Sequence, residues 1–175
     1  MIISFYGGKT PDDRGRFLRD IQQWPDDRLE SVHDFIQWMF PLREPSGVNP
    51  DAPVLDAGTI SEFRSRVDLQ QTLRQSWLRM LKFYGFEAAQ SGLDWTVKPA
   101  ANFADRAENW LTPYNHNHLR ITRIIKCLRT LGLDAEARAF FAVLSAVYRS
   151  PQFKGAISPV TFDYWQAAVD HPGAR

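Results

Sequence analysis

His33-Asp34, the pair His116 and His118, and Cys127 are the side chains whose types could carry out a reaction. A histidine and an aspartate on one helix can share a divalent ion and assist phosphoester hydrolysis. Such a site also needs an upstream histidine and a distant acid, and no histidine precedes His33. One imidazole and one carboxylate alone hold a metal weakly. His33 therefore reads as an edge-of-core histidine and Asp34 as a solvated acid. His116 and His118, two residues apart on a helix, diverge by about 200° and do not chelate one ion. Cys127 falls mid-helix at the border of an apolar stripe, the usual place of an inert buried thiol. Gly7-Gly8-Lys9-Thr10 ends like a phosphate loop but lacks its upstream glycine and strand. No catalytic residue, no metal ligand set and no cofactor site is expected.

Two other groups suit binding better. Arg120, Arg123, Lys126 and Arg129 lie opposite the isoleucines of one helix, and no acid occurs from Trp110 through Gly132. Free amide groups at the start of that helix, near Asn115, His116 and Asn117, add positive potential that suits an anion. Leu119 stands among these polar residues, which suggests a covered patch. The second group is Gln37-Trp38 running into Pro41-Leu42-Arg43-Glu44-Pro45. Trp38 points away from the apolar stripe of its own helix, and Arg43-Glu44 is stiffened between prolines. An aromatic anchor beside a charged rim is a recognition surface.

The elements that must position these residues read as helices in series. One helix is expected from Thr10-Pro11-Asp12-Asp13 through Ile21, and a second from Asp26-Asp27 to about Phe40, stopped by Pro41. Pro41 to Gly58 is an irregular Pro-rich loop. Thr59-Ile60-Ser61-Glu62 reads as a capping box. Asp68 caps a longer helix that ends at Gly85. Gly92 to Lys98 reads as an extended loop. Further helices follow over Asn102–Leu111, after Asn115, after Asp134, and from Ser158-Pro159 to about Val169. Strand-type alternation does not show. The expectation is an all-α, single-domain bundle of about seven or eight helices over residues 1–175, with one long Pro-rich loop.

Composition narrows the function. Six tryptophans spread along 175 residues supply enough apolar area for one core. A net charge of +1 gives no bulk signal for nucleic acid, which is not an expected partner. A single cysteine excludes an internal disulfide and suits a reducing compartment. Met1–Tyr6 is too short for a signal sequence, and the greasiest stretch, Ala139 to Val147, is about half a membrane span. A cytoplasmic chain without a transmembrane segment is expected.

The run His33-Asp34-Phe35-Ile36-Gln37-Trp38-Met39-Phe40-Pro41-Leu42-Arg43-Glu44-Pro45 resembles the signature of the opioid growth factor receptor conserved region. So does Asn115-His116-Asn117-His118-Leu119-Arg120-Ile121-Thr122-Arg123-Ile124-Ile125-Lys126-Cys127-Leu128, and Phe5-Tyr6-Gly7-Gly8 and Lys82-Phe83-Tyr84-Gly85 support it. The resemblance covers nearly the whole chain and implies a receptor-like protein unrelated to seven-helix opioid receptors. In animals such proteins bind the enkephalin-type opioid growth factor, associate with the nuclear envelope and restrain proliferation. Membrane-peripheral or nuclear association of this chain, expected to be a stand-alone member, would follow from the resemblance alone. The resemblance supplies no catalytic residue. It marks Gln37, Trp38, Arg43, Glu44, Asn117, Arg120, Thr122, Arg123 and Lys126. The leading expectation is a binding module for a peptide, protein or anionic ligand. Its groove would have Trp38 as floor and Arg43, Arg120 and Arg123 as anion contacts. Ligand contacts are expected at Gln37, Trp38, Arg43, Glu44, Asn117, Arg120, Arg123 and Lys126. The alternatives are an HD-like phosphoester hydrolase acting through His33 and Asp34, and a purely structural interaction bundle.

Overall fold

A computed structural model describes residues 1–173; Ala174 and Arg175, the last two positions of the expected domain, lie outside the described residues. In chain order the helices are α1 (Ile2–Tyr6), α2 (Leu18–Ile21), α3 (Asp26–Ser31), α4 (Ile36–Met39), α5 (Ala57–Ser65), α6 (Val67–Tyr84), α7 (Phe103–Trp110), α8 (Asn117–Thr130), α9 (Asp134–Arg149) and α10 (Pro159–Asp170). Strands β1 (Phe86–Ser91) and β2 (Asp94–Pro99) stand between α6 and α7, and a 3-10 turn (Pro151–Phe153) between α9 and α10. The chain is thus not the all-α bundle of seven or eight helices that its periodicities predict. Among the described residues there are ten α-helices and an antiparallel hairpin.

The hairpin's turn and most of β2 occupy Gly92 to Lys98, read as an extended loop, while β1 fills Phe86–Ser91, for which the sequence predicts no element. Ser91 pairs with Asp94 and Phe86 with Pro99, so the connection is the two residues Gly92-Leu93. Gly92 has φ 61, and Leu93 is not among the residues with positive φ. That is the arrangement of a type II′ turn, which matches the twist of paired strands. Alternation fails to betray it because most of its residues are exposed on both faces. Only Phe86 and Val97 are buried, with Ala88 and Trp95 partly covered. β2 packs on α9, and Trp95 meets the buried Trp77 ring edge-on at 5.4 Å.

Two expected helices are shortened by side chains competing for the backbone. Asp12 accepts hydrogen bonds from the backbone N–H groups of Arg14 and Arg16, both at 2.9 Å. This turn replaces the helix expected from Thr10 and delays α2 to Leu18. The helix expected over 26–40 breaks into α3 and α4, with Val32 extended at φ −94°, ψ 130°. At the break the carbonyls of Leu29 and Val32 accept from the Arg120 guanidinium at 2.8 and 2.9 Å. An arginine from a distant helix thus satisfies the terminal carbonyls of α3.

Caps at the other helices are more local. Asp56, not Thr59, caps α5 by accepting from Thr59 N–H at 2.7 Å. Ser158 caps α10 by accepting from Thr161 N–H at 3.0 Å. Gly85 ends α6 at φ 88, where an added Cβ would sit 2.8 Å from Arg106 Cβ. The Pro-rich segment is closed at its neck: Leu42 and Val54 form a parallel bridge, and Leu55 N–H donates to Leu42 O at 2.8 Å. Leu42, Ala52 and Leu55 anchor this loop in the core.

α8 runs through the middle of the protein with Ile121, Ile124, Ile125, Cys127 and Leu128 fully buried. At its start His118 lies in the core between the rings of Trp110 and Trp165. Its Nε2 is 2.8 Å from Trp110 O, and its own carbonyl accepts from Trp165 Nε1–H at 3.1 Å. Among the described residues no helix is long and apolar enough to cross a membrane.

Candidate binding groove

The Pro-rich corner and α8 touch directly. Lys126 Nζ donates to Glu44 Oε1, and Arg123 Nη1 donates to Phe40 O at 3.0 Å. Between them lies an open groove of about 390 Å³, within the usual size of ligand pockets. One wall brings Ile36, Gln37, Leu42 and the turn Pro45–Val48. The opposite wall brings Leu119, Thr122, Arg123 and Lys126, while His33, His116 and Arg120 close one end.

The basic face is graded by depth. Arg120 is only 6% exposed. Besides the Leu29 and Val32 carbonyls, its guanidinium reaches Asn117 Oδ1 and His33 Nδ1, each at 3.4 Å. Arg123 is half-buried and gives Nη1 to Phe40 O; its other N–H donors have no partner among the described residues. Lys126 is the most open of the groove cations and pairs with Glu44, while Arg129, one turn on, leaves the groove and donates to Val169 O at 2.7 Å. Burial pushes the Glu44 carboxyl up, but its hydrogen bond from Lys126 and the nearby charges outweigh this and hold it below the ordinary value.

The end wall is a polar knot around Glu30. This carboxylate accepts from Asn109 Nδ2 and Asn117 Nδ2, both at 3.1 Å, and lies 3.0 Å from His116 Nε2. Burial raises its pKa, yet these hydrogen bonds, with the charges of His116 and Arg120, hold it lower than usual. His116 meets His33 edge-on at 5.3 Å. Burial keeps the His116 imidazole below the ordinary value despite Glu30.

The two runs singled out in the sequence therefore meet, but their residues divide into different roles. Gln37 lines the groove at 5% exposure, and its Oε1 is buried with no hydrogen-bond partner among the described residues. Trp38 is 4% exposed and packs edge-on against Phe5 at 5.2 Å, so it belongs to the core and is not the groove floor. The direction expected from its own helix fails because the helix breaks ahead of it and turns α4 inward. Arg43 is exposed and outside the groove lining. Asn117 is fully buried and serves Glu30 and Arg120. Thr122 lines the groove and returns its hydroxyl to His118 O at 3.2 Å.

The apolar lining was the part least visible in sequence. Ile36 and Leu42 are core residues at the groove's base, while Leu119 and Val48 are 74% and 75% exposed beside it. Leu119, read as a covered residue, is open in this structure. Its place on a polar helix face was the available signal. Glu30 gave none, because its partners come from 79 and more positions away.

The catalytic candidates are parted or buried. Asp34 turns from His33 to Arg16 Nη1 at 2.7 Å and Arg14 Nε at 3.4 Å. His116 and His118 face opposite sides of α8's start, one toward Glu30 and one into the core. Burial pushes the Cys127 thiol far above its ordinary value, so it is not a ready nucleophile. Among the described residues no group of three or more His, Cys, Asp or Glu is placed to hold a metal ion. A larger cavity of about 620 Å³ lies between Tyr148, Lys154 and Pro159. Volume does not decide between the two, since only the groove contains a buried polar atom without a partner.

The sequence pattern described as the opioid growth factor receptor (OGFr) conserved region matches residues 2–175. The chain is 45% identical over 136 residues to an opioid growth factor receptor of Homo sapiens, covering 75% of this chain and 20% of that protein. The corresponding protein of Rattus norvegicus is 42% identical, over 75% of this chain and 23% of its own length. Opioid growth factor receptor-like protein 1 of Mus musculus is 34% identical over 137 residues, 76% of this chain and 29% of that protein. The aligned part thus spans less than a third of each of these relatives. No solved structure matches the chain. With the pattern running through α1 to α10 and both walls of the groove, the chain belongs to the opioid growth factor receptor conserved-region family.

Proposed function

We propose that this chain is a receptor-like binding module that holds a short peptide, or an exposed protein segment, in the groove between the Pro-rich corner and α8. The observation that carries the reading is Gln37. Its Oε1 is buried behind the groove lining without a partner among the described residues, a state that costs about 1–3 kcal/mol, and turning the side chain toward the groove would let an incoming N–H donor remove that cost. Around it the groove supplies exposed apolar contacts at Leu119 and Val48 and cations at Arg123 and Lys126, the mixture that suits a peptide. In this reading Gln37, Arg123 and Lys126 meet the ligand, and Glu44 stands beside them as the partner of Lys126. Asn117, Arg120 and Trp38 hold the walls that present them, and Arg43 stands outside.

The names of the relatives support the same direction, since they are receptors for a growth factor. The parted His33 and Asp34 give the hydrolase alternative less support. The test is a nuclear magnetic resonance titration with an enkephalin-type pentapeptide and, separately, with a randomised pentapeptide pool. Saturable shifts are expected over residues 33–48 and 116–126, and Leu119→Arg should abolish them. Saturable shifts confined to other surfaces, or none with either probe, would overturn the reading.

A further inference from the structure

We propose that the groove receives the free carboxyl end of a peptide at Lys126 and Arg123, and that Glu44 occupies this place in the chain without ligand. The inference rests on the peptide-binding reading and names the chemistry of the bound end.

Glu44 sits on an exposed turn between Leu42, which is anchored, and Pro45, just outside the groove lining, and pairs with the lining residue Lys126. It is the one carboxylate among the described residues within ion-pair distance of Lys126, and none is within that distance of Arg123. The pair is partly open, with side-chain exposures of 52% for Glu44 and 22% for Lys126. Such a pair contributes little to stability and can be exchanged for a better one. A carboxylate bridging Lys126 and the unused N–H donors of Arg123 would be better, because planar guanidinium donors match carboxylate oxygens.

Gln37 distinguishes a peptide end from other anions. Its Oε1 is buried without a partner among the described residues and would accept an N–H donor once the side chain turns it to the groove. The last residue of a peptide carries a backbone N–H close to its carboxylate. A phosphate or sulfate offers no such donor, and an acidic side chain places its carboxylate farther from a backbone N–H. Leu119 and Val48 would cover the apolar part of the last side chains.

The test is equilibrium dialysis of the full chain against a randomised pentapeptide pool with free carboxyl ends, in parallel with the same pool amidated at that end. Wild type should retain the free-acid pool about tenfold better, the scale of one charged hydrogen bond. Glu44→Gln should raise this acid-to-amide ratio about threefold, the scale of one exposed ion pair. Lys126→Gln should bring the ratio toward one. Circular dichroism checks that both variants fold. Equal retention of the two pools by wild type, or a ratio that Glu44→Gln leaves alone or lowers, overturns the carboxyl-end assignment while the peptide groove stands. Retention of neither pool overturns both.

Discussion

Arg120 and Arg123 are one helical turn apart on α8, yet the structure uses them in opposite ways. Arg120 is sealed inside, closing the end of α3 and tying it to the Glu30 knot. Arg123, with Lys126 beyond it, leaves donors open along the groove. A basic stripe on a helix is therefore not one surface. Arg120 at its inner end is a structural bracket, Arg129 at its far end is held by Val169 O and Asp134, and only Arg123 and Lys126 between them face the groove. Depth decides between bracket and groove: the break in segment 26–40 gives Arg120 two carbonyls, while Arg123 meets the segment only at Phe40 O.

The contrast can be broken most directly at its buried end. Arg120→Ala should cost about 3 kcal/mol, because it strips two backbone carbonyls of their donors and opens a space beside Phe35. Urea unfolding measures this, and a loss below about 1 kcal/mol would deny the bracket role. Arg123→Ala, losing one carbonyl bond, should cost about 1 kcal/mol by the same assay. If the two losses are equal, the division along the helix is wrong.

Acid sharpens the comparison at the inner end. Burial holds His116 and His118 below the ordinary histidine value. The unfolded chain then takes up protons first as pH falls through about 6.5. The histidine contribution should be greatest above that range and be lost as pH drops through it, before the lowered Glu30 and Glu44 carboxyls add their own loss at more acid pH. His116→Gln should flatten the decline between pH 7.5 and 5 in urea midpoints; an unchanged slope would remove His116 from the account. The smallest effect is expected in the groove. Lys126→Gln should change stability by no more than about 0.5 kcal/mol, since its partner is exposed. A larger loss would make Lys126 a second bracket.

How far the sequence foretold this arrangement depended on the range of the forces involved. α6, α8, α9 and α10 were legible because each carries a long apolar stripe and a local start or stop, such as Ser158 before α10 and Gly85 after α6. The break at Val32 was not, because the group that satisfies its carbonyls lies 88 positions later. The hairpin escaped for a different reason. Its sides are too solvated to alternate, and its one local signal is the glycine at the first turn position. In the groove, the meeting of the Pro41–Pro45 run with α8 was anticipated from two polar-rich segments. Which arginine would remain open depended on a kink that periodicity cannot show. The same kink turns Trp38 into the core, against its place on the polar side of the helix pattern.

The neck formed by Leu42 and Val54 bears on how such a domain can diversify. The backbone between them starts and ends at one fixed point, while Gly47 and Val48 at its tip are exposed. Closing a loop costs only about 0.6 kcal/mol more each time its length doubles. Extra residues at that tip would therefore leave the helices beneath nearly undisturbed while reshaping one side of the cleft. Relatives sharing this scaffold could come to accept different guests by editing this one handle.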